Sequence, residues 1–274
     1  MMEAHSTKDR TMKRTLHPFL LALFFLPALA CATLNATAVT GSGEIVTRTI
    51  DVSRFDVVTL AASGDVYIEQ GNTESLTIEA DDNILPLLRN RVIAGELILD
   101  TRPNQSLTPS QPIIYRLTVK DLSRLTLNGS GNFFIDPLEA KMIEISLGGS
   151  GNISFEDLTA EKVSIELKGS GNIDIEELAA DQIETSMPGS GNITLNGQAA
   201  LQDVSISGSG SYRAADLETV RAEIKIPGSA DVFVWVLEEL NTDVDGSGEI
   251  HYFGSPTIHE SGLGSGNLSS LGEK

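Results

Sequence analysis

The chain has 274 residues, of which 41% are hydrophobic and 5% aromatic, and its formal net charge is −19. This charge argues against unaided binding to nucleic acid, anionic lipid or acidic polysaccharide, because such binding depends on Lys and Arg side chains that neutralise anionic groups. A core of Ile, Val and Leu with few aromatic residues is typical of stacked β-structure, and the length suits one domain after an export segment.

The N-terminus has the features of an export signal. Four basic residues precede the apolar segment "FLLALFFLPALA", which ends in a small-x-small cleavage pattern. This segment is shorter than the about 20 apolar residues that span a membrane. We therefore predict a signal peptide over residues 1–30, with Met12 as an alternative start to Met1.

Cys31, the only cysteine, directly follows this segment. A lone cysteine in an exported protein forms no intramolecular disulfide, so it is either a free thiol or the lipid-modified residue of a bacterial lipoprotein. The stretch "LPALAC" resembles a lipobox, although Pro27 and Ala28 match it poorly. The sequence leaves open an outer-membrane lipoprotein, tethered by residues 31–40, and a periplasmic or secreted protein. Membrane contact is expected only through a lipid anchor at Cys31.

A repeated Gly-Ser-Gly motif divides the rest of the chain. From Gly129 onward its copies follow at spacings of 18 to 20 residues, a period typical of solenoids. Complete copies begin at Gly41, Gly129, Gly149, Gly169, Gly189, Gly208, Gly246 and Gly264, and degenerate copies at Ala62 and Gly228. The motif is missing from residues 81–122, where we predict longer connections and a surface loop, "TRPNQSLTPSQP".

Each period contains two short alternating strands. In "VSIELKGSGNIDIEEL", apolar and polar residues alternate on both sides of the motif, and a corner leucine, Leu178, follows. Period-two alternation predicts strands with one buried face. Stacked coils satisfy each other's backbone groups, so we predict that residues 41–274 form an all-β, single-stranded parallel β-helix with Gly-Ser-Gly corners. The corner leucine recurs as Leu138, Leu158, Leu217 and Leu237.

The corner residues have a structural interpretation. Glycine permits the left-handed or otherwise forbidden dihedrals that a sharp corner needs, and Ser and Asn side chains can bond to nearby backbone. We expect a stacked ladder of asparagines. Its members are Asn132, Asn152, Asn172 and Asn192. The alternative is a ligand groove or calcium site, but calcium-binding β-helix repeats are nine residues long with an Asp in each, so no metal is predicted.

An aromatic patch is expected where two late coils stack. If Val232 and Val234 point inward, the strand phase turns their neighbours outward and aligns them with the next coil. The residues concerned are Arg213, Phe233, Trp235, His251 and Phe253. Exposed apolar clusters usually mark contacts.

Three roles are open for this patch. In the first, another segment of the chain covers the patch, with the 101–112 loop and the signal remnant as candidates. In the second, the patch is a contact with a protein partner or a second protomer. In the third, it is a platform for carbohydrate.

Catalytic groups do not stand out in the sequence. The pairs Glu156/Asp157 and Glu176/Glu177 occupy one column, as paired glycosidase carboxylates do. They fall at polar corners, however, so we interpret them as a solvated acidic edge that aids solubility. No Ser-His-Asp, Cys-His or metal-ligand spacing is recognised, and we predict no enzyme and no cofactor.

Four stretches resemble the head GIN domain family, and together they extend over nearly all of the predicted mature chain. They are "FDVVTLAASGDVYIEQGNTESLTIEADDNIL", "GELIL", "YRLTVKDLSRLTLNGSGN" and "DGSGEIHYFGSPTIHESGLGSGNL". The resemblance implies a right-handed parallel β-helix, usually exported and often a lipoprotein. The family has no established catalytic residues, so none is carried over.

The leading prediction is therefore a non-enzymatic, exported module that presents a surface for interaction, in the manner of an adhesin. The alternative is a carbohydrate-binding or polysaccharide-processing β-helix. The partner is expected to be protein or glycan, with self-association as a third reading.

Overall fold

The structure, a computed structural model, describes Met1 and residues 37–274. Cys31 and, Met1 apart, the predicted signal peptide lie outside the described residues. The strands are β1 (Thr37–Thr40), β2 (Ile45–Ile50), β3 (Val57–Leu60), β4 (Asp65–Gln70), β5 (Ser75–Asp81), β6 (Leu88–Ile93), β7 (Glu96–Thr101), β8 (Gln105–Thr108), β9 (Ile114–Val119), β10 (Arg124–Leu127), β11 (Asn132–Ile135), β12 (Leu138–Leu147), β13 (Asn152–Leu167), β14 (Asn172–Ser186), β15 (Asn192–Ser205), β16 (Ser211–Ile226), β17 (Asp231–Val244), β18 (Glu249–Phe253), β19 (Thr257–Ser261) and β20 (Asn267–Gly272).

Parallel stacking of successive coils builds the fold. Strands β12 to β17 pair parallel, each with the next along the chain, and β13 aligns with β14 at an offset of twenty residues. The stack makes about seven turns. The predicted parallel β-helix is confirmed.

The N-terminal part of the stack departs from this pattern. Strands β3 and β4 continue the parallel coils onto β10 and β11, whereas β2, β5, β6, β7 and β9 include antiparallel pairs. Residues 81–122 hold a 3₁₀ turn, Leu85–Leu87, and strands β6 to β9. Residues 105–108, predicted to be loop, form β8, which pairs with β1; residues 37–40 of the predicted tether are therefore strand.

Inward-facing aliphatic side chains form the core. The column Ile143, Val163 and Ile183 is fully or almost fully buried, and so is the column Ile153, Ile173 and Ile193. Burying one such side chain contributes about 1.5–3 kcal/mol. Because like residues lie above like, the alternation predicted from the sequence is the alternation of burial along each strand.

Leu237 was predicted to be a corner leucine, and this prediction is wrong. The register between β16 and β17 shifts after Ala214, so that Val236 pairs with Thr219 and takes the buried position. Leu237 is instead 41% exposed. The repeat loses its phase here because the connection in β17 is shorter than that in β16.

Most corner glycines serve close packing between coils, and the left-handed dihedrals predicted for them occur at only two motif copies. Among the glycines of the motif copies, only Gly43 and Gly64 have a positive φ. A Cβ atom on Gly171 would lie 1.7 Å from the carbonyl oxygen of Gly151 on the preceding coil. A side chain at this corner is therefore excluded by the stacking distance between coils.

No helix in the described part of the chain is long and apolar enough to cross a membrane.

Candidate interaction surface

Two outward columns near the end of the stack carry aromatic side chains. Phe233 pairs in register with His251, and their ring centroids lie 4.7 Å apart at an interplanar angle of 18°. Trp235 pairs with Phe253 beside them, and Arg213 pairs with Phe233 from the preceding coil. We call these five residues the C-terminal aromatic cluster. The structure brings all five together, while their role in binding stays a prediction.

Lys274 partly covers the Trp235 column. Its Nζ atom lies 5.2 Å from the ring centroid of Trp235 and 5.3 Å from that of Phe253. The same ammonium donates to the carbonyl oxygen of Ala215 and to the carboxylate of Asp216. An ammonium above two π-faces is a favourable cation–π arrangement. The cover is thus the side chain of Lys274, and it lies over Trp235 and Phe253.

The 101–112 loop does not cover the cluster, contrary to one of the three predicted alternatives. Its central residues pair with β1, and Pro109 borders a small cavity with Gly129. Both contacts are in the N-terminal half of the stack. The signal remnant, the other segment considered, lies outside the described residues.

His251 is held by two polar neighbours that the sequence reading missed. Its Nδ1 atom lies 2.6 Å from Ser269 Oγ, and its Nε2 atom lies 3.5 Å from Glu249 Oε2. Ser269 follows His251 by one coil of 18 residues, so the coil spacing was the signal that could have identified it.

These residue types are those of a serine triad, yet catalysis of that kind also needs oxyanion donors and a cleft that orients the substrate. His251 is stacked against Phe233 on a sheet face. Glu249 is 57% exposed, which places the carboxylate in solvent. We interpret the two contacts as fixing the imidazole within the aromatic stack.

A second aromatic cluster, also missed, lies near the start of the stack. Tyr67 and Phe134 stack with centroids 5.0 Å apart and an interplanar angle of 20°, and Arg116 Cζ lies 5.4 Å from the Tyr67 ring centroid. We call these three residues the N-terminal aromatic cluster. Tyr67 and Phe134 are 67 residues apart and outside the regular repeat, so no fixed period could pair them.

The asparagines form a continuous hydrogen-bonded ladder beside this face. Nδ2 of Asn152 donates to Oδ1 of Asn132 at 3.1 Å, and Nδ2 of Asn172 donates to Oδ1 of Asn152 at 3.0 Å. Asn192 donates to Asn172, and at the other end Asn132 donates to the Asp65 carboxylate. Each amide therefore fixes the next coil in register.

A concave groove of about 840 Å³ runs along the stack on another side. Alanines form its floor, and charged residues stand on its rims. Four of the lining alanines form one register column, Ala140, Ala160, Ala180 and Ala199. The acidic pairs of the predicted edge lie elsewhere, and Glu156, Glu176 and Glu177 are exposed. In the described part of the chain, no group of three or more His, Cys, Asp or Glu residues is arranged to hold a metal ion.

Fold and surface together define a β-solenoid with laddered side chains. The family described as "Putative auto-transporter adhesin, head GIN domain" matches residues 54–173 and 142–256. The chain belongs to this family, and family membership indicates an exported or surface protein. A comparison with curated proteins finds no match.

Several crystal structures share the fold. A "putative lipid binding protein" from Parabacteroides distasonis is 28% identical with a TM-score of 0.80, over 86% of this chain and 100% of that one. A "putative adhesin" from Parabacteroides merdae is 23% identical with a TM-score of 0.80, over 85% and 99%. A "putative adhesin" from Parabacteroides distasonis is 24% identical with a TM-score of 0.76, over 86% and 100%.

Proposed function

We propose that the protein is a non-enzymatic, adhesin-like interaction module of the cell envelope. Family membership supports the adhesin-like role, and the export signal predicted over residues 1–30 supports delivery to the envelope. Cys31 would anchor the module if it is lipidated, and a secreted module would result if it is not.

The observation that carries the proposal is the C-terminal aromatic cluster on an outward sheet face. Trp235 is the only tryptophan of the chain, and it lies half-buried beside Phe253 instead of in the core. Arg213 pairs with its neighbour in the cluster, Phe233. Tryptophan and arginine are enriched among the residues that dominate binding energies. An apolar group retained at the surface usually marks a contact.

The test measures binding of the full chain to envelope fractions and to an array of glycans. We expect Trp235→Ala to weaken saturable binding about tenfold or more, since a buried aromatic anchor contributes on the order of 2 kcal/mol. The fold should persist by circular dichroism, because Trp235 is outside the core.

Met142→Ala is the matched control. Met142 is a large apolar residue, 60% exposed, that lies away from both aromatic clusters, so its replacement should leave binding unchanged. Parental affinity in Trp235→Ala would remove the cluster from the binding surface. Unfolding of Trp235→Ala would show that the tryptophan is part of the core.

A further inference from the structure

The N-terminal aromatic cluster shares one outward column of the sheet with Arg213, Phe233 and His251 of the C-terminal aromatic cluster. Phe134 pairs with Ser154, and the column then continues coil by coil to Phe233. The residues between the two clusters in this column are Ser154, Asp174 and Thr194, and Thr194 pairs with Arg213. Five strand spacings separate Phe134 from Phe233, a distance of about 24 Å at about 4.8 Å per spacing.

Within this column, the two clusters have the same kinds of residue in the same order. Each contributes an arginine, an aromatic residue that faces it across one strand spacing, and a second ring stacked on the first. Trp235 and Phe253 extend the C-terminal cluster into the neighbouring column. Tyr67 and Phe134 are 39% and 38% exposed. The column therefore has a similar apolar and cationic group near each of its ends, with small polar side chains between them.

The surface between the clusters does not suit a protein partner. Protein interfaces are depleted of Asp and Glu at their centre. Here Asp174 lies in the column itself, and Glu156 and Glu176 stand exposed two residues further along their strands. Burial of these carboxylates against apolar protein surface would be costly.

The same surface suits a neutral sugar chain. Carboxylate and amide oxygens accept hydrogen bonds from hydroxyl groups, and Asn amides can also donate them. Aromatic rings offer an apolar body to the C–H faces of sugars. The net charge of −19 repels polyanions but not neutral chains. A linear polysaccharide repeats along its axis, as the solenoid does, so successive sugars can meet successive coils.

We propose that the two clusters are the end contacts of one binding face for a neutral linear polysaccharide, which lies along the solenoid axis. The proposal rests on the proposed function for its C-terminal contact and adds the N-terminal aromatic cluster as the second. A sugar chain that is long enough to reach both clusters makes the second contact while it is already bound at the first. Its affinity for the protein therefore exceeds that of a shorter sugar chain.

The experiment is calorimetric titration of the full chain with neutral oligosaccharides of graded length. The probes are gluco-, xylo- and manno-oligosaccharides from disaccharide to decasaccharide, with the matching polymers. We expect one series to show a rise in affinity of about tenfold or more once the oligomer spans both clusters. Phe134→Ala should abolish this rise and reduce the number of sites for short oligomers from two to one, and Met142→Ala should have no effect.

Three outcomes would overturn this inference. Affinity that is independent of oligomer length, or a parental length dependence in Phe134→Ala, would overturn the two-cluster face. Absence of binding to every neutral oligosaccharide series would overturn the assignment of a neutral polysaccharide as the ligand. In that last case, envelope binding that Trp235→Ala still weakens would leave the proposed function intact. Absence of both oligosaccharide binding and envelope binding would overturn both proposals.

Discussion

Asp81 is a fully buried carboxylate that joins two loops at the start of the solenoid. Its Oδ1 atom accepts hydrogen bonds from the Gly43 amide at 2.9 Å and the Ser110 hydroxyl at 2.6 Å, and its Oδ2 atom accepts one from the Ser110 amide at 2.9 Å. The Ser110 hydroxyl is the main cause that lowers the pKa of Asp81 below its ordinary value of 3.8, against the opposing effect of burial.

Replacement of Asp81 by Asn should lower the melting temperature at pH 7. An amide keeps one acceptor oxygen but turns an NH₂ group toward the donors of Ser110 or Gly43, which leaves buried donors unpaired. Because the folded pKa is depressed, the carboxylate stabilises the fold above pH 3.8, and this contribution is lost as the pH falls through the lower folded value.

Thermal melts at several pH values test this prediction, with Asp82→Asn, an exposed neighbour, as the control. The difference in melting temperature between parent and Asp81→Asn should be largest near neutral pH and shrink below about pH 4. A difference that does not change with pH would contradict the assigned role of the charge.

The contact between Lys274 and Trp235 should be detectable by the fluorescence of Trp235, the single tryptophan. Removal of its ammonium in Lys274→Ala uncovers Trp235, so we expect a red-shifted fluorescence emission and stronger quenching by acrylamide. Stability should change by less than about 1 kcal/mol, since exposed contacts of this kind contribute little. Lys141→Ala, which alters a lysine that is 78% exposed and far from Trp235, is the control. An unchanged spectrum for Lys274→Ala would show that the tail does not rest on the ring in solution.

At the scale of the element, a single corner sets how closely two coils can stack. Gly171→Ala should destabilise the protein by about 3 kcal/mol, because the added Cβ meets the Gly151 carbonyl oxygen at 1.7 Å and backbone has to move. Ser170→Ala, at the exposed residue of the same corner, should cost under about 0.5 kcal/mol.

Urea denaturation measures both variants. Equal midpoints for Gly171→Ala and Ser170→Ala would show that the coils tolerate a methyl group at this corner.

The sequence predicts the elements well wherever one coil resembles the next. Alternation gave the strand faces of β12 to β16, because each inward position lies above another inward position. It failed at Leu237, where a shorter connection shifts the register, and at β8, whose partner β1 is distant in sequence. It also could not show Gln202 buried in the core, where this side chain is bonded to Tyr212.

The candidate surface was predictable only in part, for the same reason. The C-terminal aromatic cluster follows from counting one coil forward. Tyr67 and Phe134 meet because the chain leaves the regular stack after β4 and returns to pair β11 with β4. The length of the intervening segment follows no repeat, so a fixed spacing could not predict the contact. The role of the corner glycines depends on the distance between the backbones of successive coils. This distance cannot be predicted from the dihedral preference of glycine alone.

At the scale of the whole molecule, stability should vary along the stack. Each coil contacts only its neighbours, so interior coils are held on two sides and terminal ones on one. Amide hydrogen exchange should therefore be slowest in β13 to β16 and fastest in the two-stranded β1–β8 sheet. Uniform protection along the chain would indicate one cooperative unit instead.

The asparagine ladder makes the middle coils interchangeable. Asn172 donates to Asn152 in the same way as Asn152 donates to Asn132. Excision of residues 153–172 would therefore rejoin the chain with each remaining asparagine of the ladder still facing another. Ile173 would then meet Phe133, which now meets Ile153. Whole coils can thus be deleted from the solenoid or inserted into it, and each coil changes the length of the stack by about 4.8 Å.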